Sequence, residues 1–371
     1  MANRYASRWR VWALAAVGIL LGITLLASAL PLIRTDTSWV RYADFPRLQF
    51  AVALVILLPA FLVLRGRAGR IGWVLSALVF AALVYHASRL SPYIPLRPHA
   101  AASVVACAPE NALSVMVANV KERNETSDAF LKLVGEVEPD VLLIMETDPW
   151  WDRQLTPLAD SYPHREQFIP EGHGAFGMHL LSKLPLVSPE FRFLFDAYSP
   201  TLYTGLQLHN GTTVQFVALH PHPPMVGVKS TTLRDGHILS AALEARANAA
   251  PTILAGDFNA VPWEDVTRRA DRIAGLLDPR IGRGNYSTFK TNSIWMSWPL
   301  DQILYQDGFG LVGFEVLPDF GSDHFPVLAR LCQVPPSSLE QTPPALRAND
   351  LAEAEAAIEA AKALQPESRS Q

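Results

Sequence analysis

Residues 253–259 read Ile-Leu-Ala-Gly-Asp-Phe-Asn, and residues 321–326 read Gly-Ser-Asp-His-Phe-Pro. Each segment sets acid, amide or imidazole groups where an apolar run stops or starts. Such a run reads as a buried strand. Its end is where polar groups can face a cleft without being buried unpaired. Two such ends, far apart in the chain, point to one site assembled by tertiary folding. The groups suit a hard divalent cation and a general base: carboxylates for Mg²⁺, and a His paired with an Asp.

Each candidate has an ordinary reading beside the chemical one. Glu146 closes the apolar run 141–145 and is a candidate metal ligand, or else a rim glutamate in a surface loop. Asn119 ends the run 113–118 in the same way, where Asn also serves turn chemistry. Asp257 and Asn259 are two apart, so in an extended chain they point to one side. One could hold a nucleophilic water while the other orients a phosphate oxygen; the competing reading is an Asx turn. Gly256 before them permits close approach of a ligand or another backbone. His220 ends the run 214–219, with His222 two positions on. Zinc would need more nitrogen or sulfur ligands, so His220 is read as a phosphate-contacting donor and His222 as incidental. His164, His173, His179, His209 and His237 receive no role. Asp323 and His324 are adjacent and diverge in an extended chain, so the partner of His324 is expected in Asp301, which opens the run 302–305. A carboxylate on one ring nitrogen fixes the tautomer and leaves the other nitrogen free for proton transfer.

Positioning these groups needs many strands. Runs at 113–118, 141–145, 176–181, 202–208, 214–219, 253–255, 302–305, 311–316 and 327–331 read as strands. Residues 127–137 and 231–249 read as helices. Many strands with few helices predict a two-sheet α/β sandwich. Residues 91–110, with four Pro, read as a linker. Residues 334–371 shift to a low-complexity, Pro/Ser-rich tail with a short Ala/Glu-rich helix. That helix is expected to be solvated and to start with a capping box from Asp350 to Glu353.

Half of the 371 residues are hydrophobic, and the excess sits at the front. Residues 11–30 carry no charge and are long enough to span a bilayer; a cleaved signal peptide ending near Ala27-Ser28-Ala29 is the alternative. Residues 50–64 and 71–85 are shorter runs that flanking Arg and aromatic side chains can extend. Three spans make residues 1–90 a membrane anchor. The loop Arg65-Gly66-Arg67-Ala68-Gly69-Arg70 suits a cytoplasmic turn and puts the rest of the chain on the other side of an inner or plasma membrane. The two cysteines, Cys107 and Cys332, flank the soluble part, and a bridge between them would persist only in an oxidising compartment; two unrelated thiols are the alternative. Residues 101–335 hold 17 Lys/Arg against 27 Asp/Glu, so no general attraction draws this part to nucleic acid.

Residues 111–333 resemble the endonuclease/exonuclease/phosphatase superfamily. The resemblance is carried by Val117-Ala118-Asn119-Val120, by Glu146, and by the stretch 178–186, Met-His-Leu-Leu-Ser-Lys-Leu-Pro-Leu. Ala218-Leu219-His220, Gly256-Asp257-Phe258-Asn259 and Leu300-Asp301-Gln302-Ile303-Leu304 continue it, and Ser322-Asp323-His324-Phe325-Pro326-Val327 closes it. Two departures are Lys121, where many nucleases of the family have an acid, and Leu219, where a Thr is usual. The apolar front is similar to a membrane-anchored bacterial branch. The resemblance implies a four-layer sandwich, two β-sheets face to face with helices outside, and a site at one edge.

The chain is therefore read as a membrane-anchored phosphoesterase that uses Mg²⁺, with Mn²⁺ as a substitute, and hydrolyses a phosphodiester. The metal sits on Glu146 with Asp323 or Asn119 nearby. His324, oriented by Asp301, takes the proton from water, a task that Asp257 shares or owns. Asn259 and His220 bind the non-bridging oxygens. The expected partners are a phospholipid head group or nucleic acid, and a bilayer through residues 11–85. The alternatives are a nuclease acting on extracytoplasmic nucleic acid and an inactive membrane-anchored binding protein; the intact set of positions argues against the second. Trp295 and Trp298 could dip into an interface, with core packing as the competing reading.

Overall fold

The computed structural model describes residues 2–66, 69–170, 175–224 and 229–364, with side chains from residue 8 onward. Arg67 of the basic turn, His173 and the last seven residues of the tail lie outside the described residues. The chain divides into two units, Met1–Pro92 with Pro224–Ser230, and Tyr93–Pro223 with Thr231–Gln371.

The first unit contains α1 (Ala2–Ala29), the short α2 (Ser38–Arg41), α3 (Arg47–Arg65) and α4 (Gly69–Leu90). Three segments, Arg8–Leu32, Arg47–Arg65 and Gly69–Tyr93, are long and apolar enough to cross a membrane. Both of the shorter sequence runs extend into their flanking arginines. The 19-residue helix is about 28 Å long, close to the hydrocarbon thickness. Leu21, Leu54, Phe61 and Val79 pack at the centre, while Ile19, Ile23, Val55, Val63 and Phe80 face outward. An outward face this apolar suits lipid rather than water. Arg10 donates to the carbonyl of Leu64 at 2.9 Å, so the start of α1 and the end of α3 share one end.

Among the described residues the second unit has eleven strands: β1 (Ala112–Asn119), β2 (Val141–Met145), β3 (His164–Phe168), β4 (Met178–Ser182), β5 (Leu186–Arg192), β6 (Thr201–Gln207), β7 (Thr213–Leu219), β8 (Thr252–Asp257), β9 (Asp301–Tyr305), β10 (Phe309–Val316) and β11 (Val327–Gln333). They form two mixed sheets, β10-β11-β1-β2-β4-β3 and β5-β6-β7-β8-β9. The helices are α5 (Ser127–Val137), α6 (Pro149–Gln154), α7 (Thr232–Ala247), α8 (Asp265–Ala274) and α9 (Asp350–Ala363).

Alternation along the strands builds the layers. Val115, Val117, Leu143 and Met145 meet Phe216, Ala218, Ile253, Ala255 and Ile303 in the core between the sheets. The intervening Met116, Ala118, Leu142 and Ile144 pack outward on Phe130, Val134 and Trp151 of α5 and α6. On the other side Val217, Leu219, Leu254 and Leu304 pack on Ile238 and Leu239 of α7 and on Ile273 of α8. The four layers are helix, sheet, sheet, helix.

Four strands and helices of this unit escaped the sequence pattern, the six-residue α6 among them. β3 reads His-Arg-Glu-Gln-Phe and is a polar edge strand. β5 contains Pro189, and its register slips between Val187 and Glu190; a Pro inside a run argues against a strand except at such an edge. α8 is mostly charged, with one buried stripe from Val266 to Ile273. The tail helix is a correction. α9 is docked: Ala354 and Ala361 are fully buried, and Arg272 grips Asp350 with two 2.7 Å bonds. Alanines permit this close approach, since a Cβ on Gly236 of α7 would lie 2.6 Å from the Cβ of Ala361. The capping box does not form, because the Asp350 carboxylate is taken by Arg272 and Asn349 stands at the N-cap. Residues 102–104 pair along β10, with Val104 donating to the Leu311 carbonyl and Leu311 to that of Ala102, both at 2.8 Å.

Cys107 and Cys332 are joined in a disulfide across 225 residues of chain. It ties the segment before β1 to the strand that pairs with β1. Replacing both cysteines by Ser should destabilise the domain by about 2–4 kcal/mol, read by chemical denaturation of the unreduced full chain. Two alkylatable thiols in the unreduced protein would contradict the bridge.

Candidate active site

The strand alternation that fills the core continues into polar groups at one end of the sandwich. Asn119 follows Val115 and Val117 on the inward face of β1, and Asp257 follows Ile253 and Ala255 on β8. His220 extends the inward series Phe216 and Ala218 beyond β7. Asp301 starts β9 directly opposite Asp257 in the antiparallel register. Glu146 would point outward by the same count, because Met145 is inward. Its left-handed φ of 59° reverses that direction. Gly256 has a φ of 144°, and any Cβ there would lie 1.9 Å from the Leu219 carbonyl oxygen. Only glycine allows β8 to approach the end of β7 so closely.

These residues meet at Asp257. Its Oδ2 accepts from Asn119 Nδ2 at 3.2 Å and lies 3.9 Å from His220 Nε2 and 3.8 Å from His324 Nε2. Asn119 Nδ2 also donates to Glu146 Oε1 at 2.8 Å, and the Glu122 amide donates to Glu146 Oε2 at 3.0 Å. His324 Nδ1 lies 2.8 Å from Asp301 Oδ2, the pairing expected from the sequence. Asn259 differs from expectation. The chain is not extended there, with a φ of 49°, and its amide closes an Asx turn on Asp257 Oδ1 at 2.9 Å. Its side-chain Nδ2 donates to the Pro221 carbonyl at 2.9 Å, which fixes the segment following His220. Asp323 stands at the rim, 3.4 Å from Lys121 Nζ. Among the described residues no hydrogen bond joins it to Glu146.

The charge balance is strongly negative. Glu146, Asp257, Asp301 and Asp323 are all acidic, and the exposed Lys121 ammonium pairs with Asp323. Burial, and then the neighbouring Asp301, raise the Asp257 carboxyl. Burial draws the His324 imidazole down, but Asp301 and Asp257 outweigh it and push the ring up to about 10. A proton on His324 thus offsets charge that a divalent cation could offset instead. Hard oxygen donors in excess are what Mg²⁺ takes, and Asp301 Oδ1 is buried without a hydrogen-bond partner among the described residues. The residues therefore fit a divalent cation. Ligand atoms of Asp257, Asp301 and His324 also lie within 4.8 Å of one another. A cation there would compete with the His324–Asp301 bond.

Other side chains around the site gave no signal in the sequence. Thr288 Oγ1 accepts the amides of Leu300 and Asp301 at 3.2 and 3.1 Å and sets the start of β9. Ser322 Oγ donates to the Asn119 carbonyl at 2.7 Å, which ties the approach to β11 onto the end of β1. The ring of Phe289 lies 4.9 Å from that of His324, and Phe176 lies 5.4 Å from His220 and 4.6 Å from His222. His222 bonds Asp196 at 3.0 Å. His179 is buried and links Thr147 Oγ1, at 2.9 Å, to Asp152, at 3.1 Å, behind Glu146. A lone threonine carries no pattern that singles it out, and His179 sits within the apolar run 176–181, where it reads as part of the strand.

Among solved structures, the human nocturnin catalytic domain aligns with a TM-score of 0.50 at 18% identity, covering 62% of this chain and 97% of that one. A humanised D. rerio TDP2 aligns at 0.49 and 19% identity, covering 60% and 99%. An endonuclease/exonuclease/phosphatase protein from Beutenbergia cavernae aligns at 0.48 and 18%, covering 60% and 72%. At these identities the likeness concerns the fold. No curated protein sequence matches the chain. The model of the Endonuclease/Exonuclease/phosphatase family matches residues 116–324, more than half of the chain. With Asn119, Glu146, His220, Asp257, Asp301 and His324 all inside that span, the chain belongs to the Endonuclease/Exonuclease/phosphatase family.

Proposed function

We propose that the protein is a membrane-held, Mg²⁺-dependent phosphodiesterase whose residues 111–333 carry the chemistry on the extracytoplasmic side. The observation that carries this reading is the Asp301–His324 pair at 2.8 Å, its free Nε2 turned toward Asp257 beside Glu146. Glu146, with Asp323 across the mouth, would hold Mg²⁺ or Mn²⁺, which when bound neutralises charge on phosphoryl oxygens. When the charge of the site is balanced so that the His324 ring is neutral, Asp301 holds its Nδ1–H and Nε2 is the proton acceptor. It takes a proton from the attacking water as the new oxygen–phosphorus bond forms, and the ester oxygen leaves. Asp257 Oδ2, within 4 Å of that nitrogen, orients the same water. His220 Nε2 and Asn119 Nδ2 donate to the non-bridging oxygens as charge builds on them. Asn259 acts on His220 through its hold on Pro221. The side of the membrane is argued from the disulfide, which persists only in an oxidising compartment, and from the basic 65–70 turn. Residues 1–90 then serve as the anchor and 91–110 as the connection.

Glu146→Gln keeps shape and removes charge. Hydrolysis of bis(p-nitrophenyl) phosphate by the full chain should fall at least about tenfold, and half-saturation should need more Mg²⁺. Equal activity at every Mg²⁺ concentration would refute the role of Glu146. The same assay tests the function itself, since a wild type inert with Mg²⁺ and Mn²⁺ would favour a binding protein.

Asp301→Asn should lower kcat more than KM, and His324→Ala should cost at least as much. The double variant should be little worse than His324→Ala, since the two act as one unit; full additivity would contradict the pairing. Asp301 raises the His324 pKa, so its loss should move any rate limb set by that ring to lower pH.

A further inference from the structure

Lys121 stands at the mouth of the site on a rigid root. Its backbone is left-handed, with a φ of 62°, a conformation that residues other than glycine seldom adopt. Hydrogen bonds hold it there. Its amide donates to Asn119 Oδ1 at 2.9 Å, and its carbonyl accepts the Asn124 amide at 3.0 Å. Asn124 Nδ2 donates to the Val120 carbonyl at 2.9 Å, and the Glu122 amide donates to Glu146 Oε2 at 3.0 Å. One side-chain amide, that of Asn119, thus fixes both Glu146, through Nδ2, and the root of Lys121, through Oδ1. The head of Lys121 is the opposite of its root. The ammonium lies 3.4 Å from Asp323 Oδ2, and the two side chains are 51 and 24% exposed. A pair so open to water is weak and exchanges readily, and a lysine head is a point charge on a flexible stem.

The carboxylates of the site are not equally committed. Asp301 bonds the His324 ring, and Glu146 accepts from Asn119 and from the Glu122 amide. Asp257 is buried among Asn119, His220 and His324. Among the described residues the Asp323 carboxylate pairs with the Lys121 ammonium alone. Asp323 is also one of the two groups assigned above to the divalent cation. A cation and an ammonium compete for one carboxylate, and the doubly charged ion, coordinated directly by oxygen, has the larger Coulomb attraction. From this competition we propose that Lys121 is an exchangeable counter-ion. It caps Asp323 in the cation-free site, gives Asp323 up when a divalent cation binds, and carries its ammonium to a non-bridging oxygen of the phosphate. There it adds a full positive charge to the donors His220 and Asn119. Lys121 becomes available to the substrate only once the cation is in place, so the site loads cation first and phosphate second. The exchange rests on the Glu146–Asp323 cation position of the phosphodiesterase reading.

The test uses the full chain in phosphatidylcholine nanodiscs, as wild type, Lys121→Met, Asp323→Asn and the double variant. In the first arm Mn²⁺ alone is the probe, without substrate, and binding is read from the loss of the free-ion signal in electron paramagnetic resonance. Lys121→Met should bind Mn²⁺ about two- to fivefold more tightly than wild type, because a weak exposed pair no longer competes. In the Asp323→Asn background the same substitution should change the affinity by less than about 1.5-fold, because the competition runs through Asp323. The second arm is hydrolysis of bis(p-nitrophenyl) phosphate at saturating Mn²⁺. There Lys121→Met should raise KM at least about threefold, with kcat changed less. Tighter cation binding together with weaker substrate binding is a pattern that loss of folding does not produce. Equal or weaker Mn²⁺ binding by Lys121→Met would overturn the exchange. Tightening that persists undiminished in the Asp323→Asn background would also overturn it, by marking a general field effect. An unchanged KM would overturn the contact with phosphate. In each of these cases a wild type that binds Mn²⁺ and hydrolyses the diester leaves the phosphodiesterase reading standing. A wild type that neither binds Mn²⁺ nor hydrolyses the diester overturns that reading, and the exchange with it.

Discussion

Asp257 and Asp301 face each other across paired antiparallel strands, both buried. Two carboxylates so placed repel and are poorly solvated, and a fold keeps such a pair only if a proton or a positive charge compensates it. His324 is the compensating group within the chain, bonded to Asp301 and within 4 Å of Asp257. Glu146 adds a third carboxylate through Asn119. The surrounding structure is arranged to hold this charge in place. Gly256 lets β8 come close to the end of β7, Thr288 fixes the start of β9, and Ser322 ties the approach to β11 onto β1.

Much of this was legible in the sequence because strand alternation is rigid. Once 113–118 and 253–255 read as buried strands, Asn119 and Asp257 had to fall at their ends, and the structure brings them within hydrogen-bonding distance. The adjacency of Asp323 and His324 was enough to send the partner search to Asp301. What was not legible depends on departures from regular backbone. Glu146 reaches the site only through a left-handed residue, and at Asn259 the Asx turn, the competing reading, replaces the extended path. No apolar pattern announces either conformation. The polar edge strand β3, the Pro-containing β5 and the charged α8 were hidden for the same reason. The tail helix misled because alanine is ambiguous: it is compatible with solvent and equally with the tight contact that α9 makes on α7.

Residues 288–298 form a hairpin beside His324. Its base is aromatic and packed against the site, and its tip is apolar and exposed. Trp298 and Trp295 stand three residues apart and divide between core and surface; core packing holds for Trp298.

The central claim is that the carboxylate cluster hydrolyses phosphodiesters only when a divalent cation balances it. The most direct measurement is hydrolysis of bis(p-nitrophenyl) phosphate by the full chain after exhaustive treatment with EDTA, followed by titration with Mg²⁺. The account predicts no activity in EDTA and full recovery as Mg²⁺ is returned. Activity that persists in EDTA would contradict it.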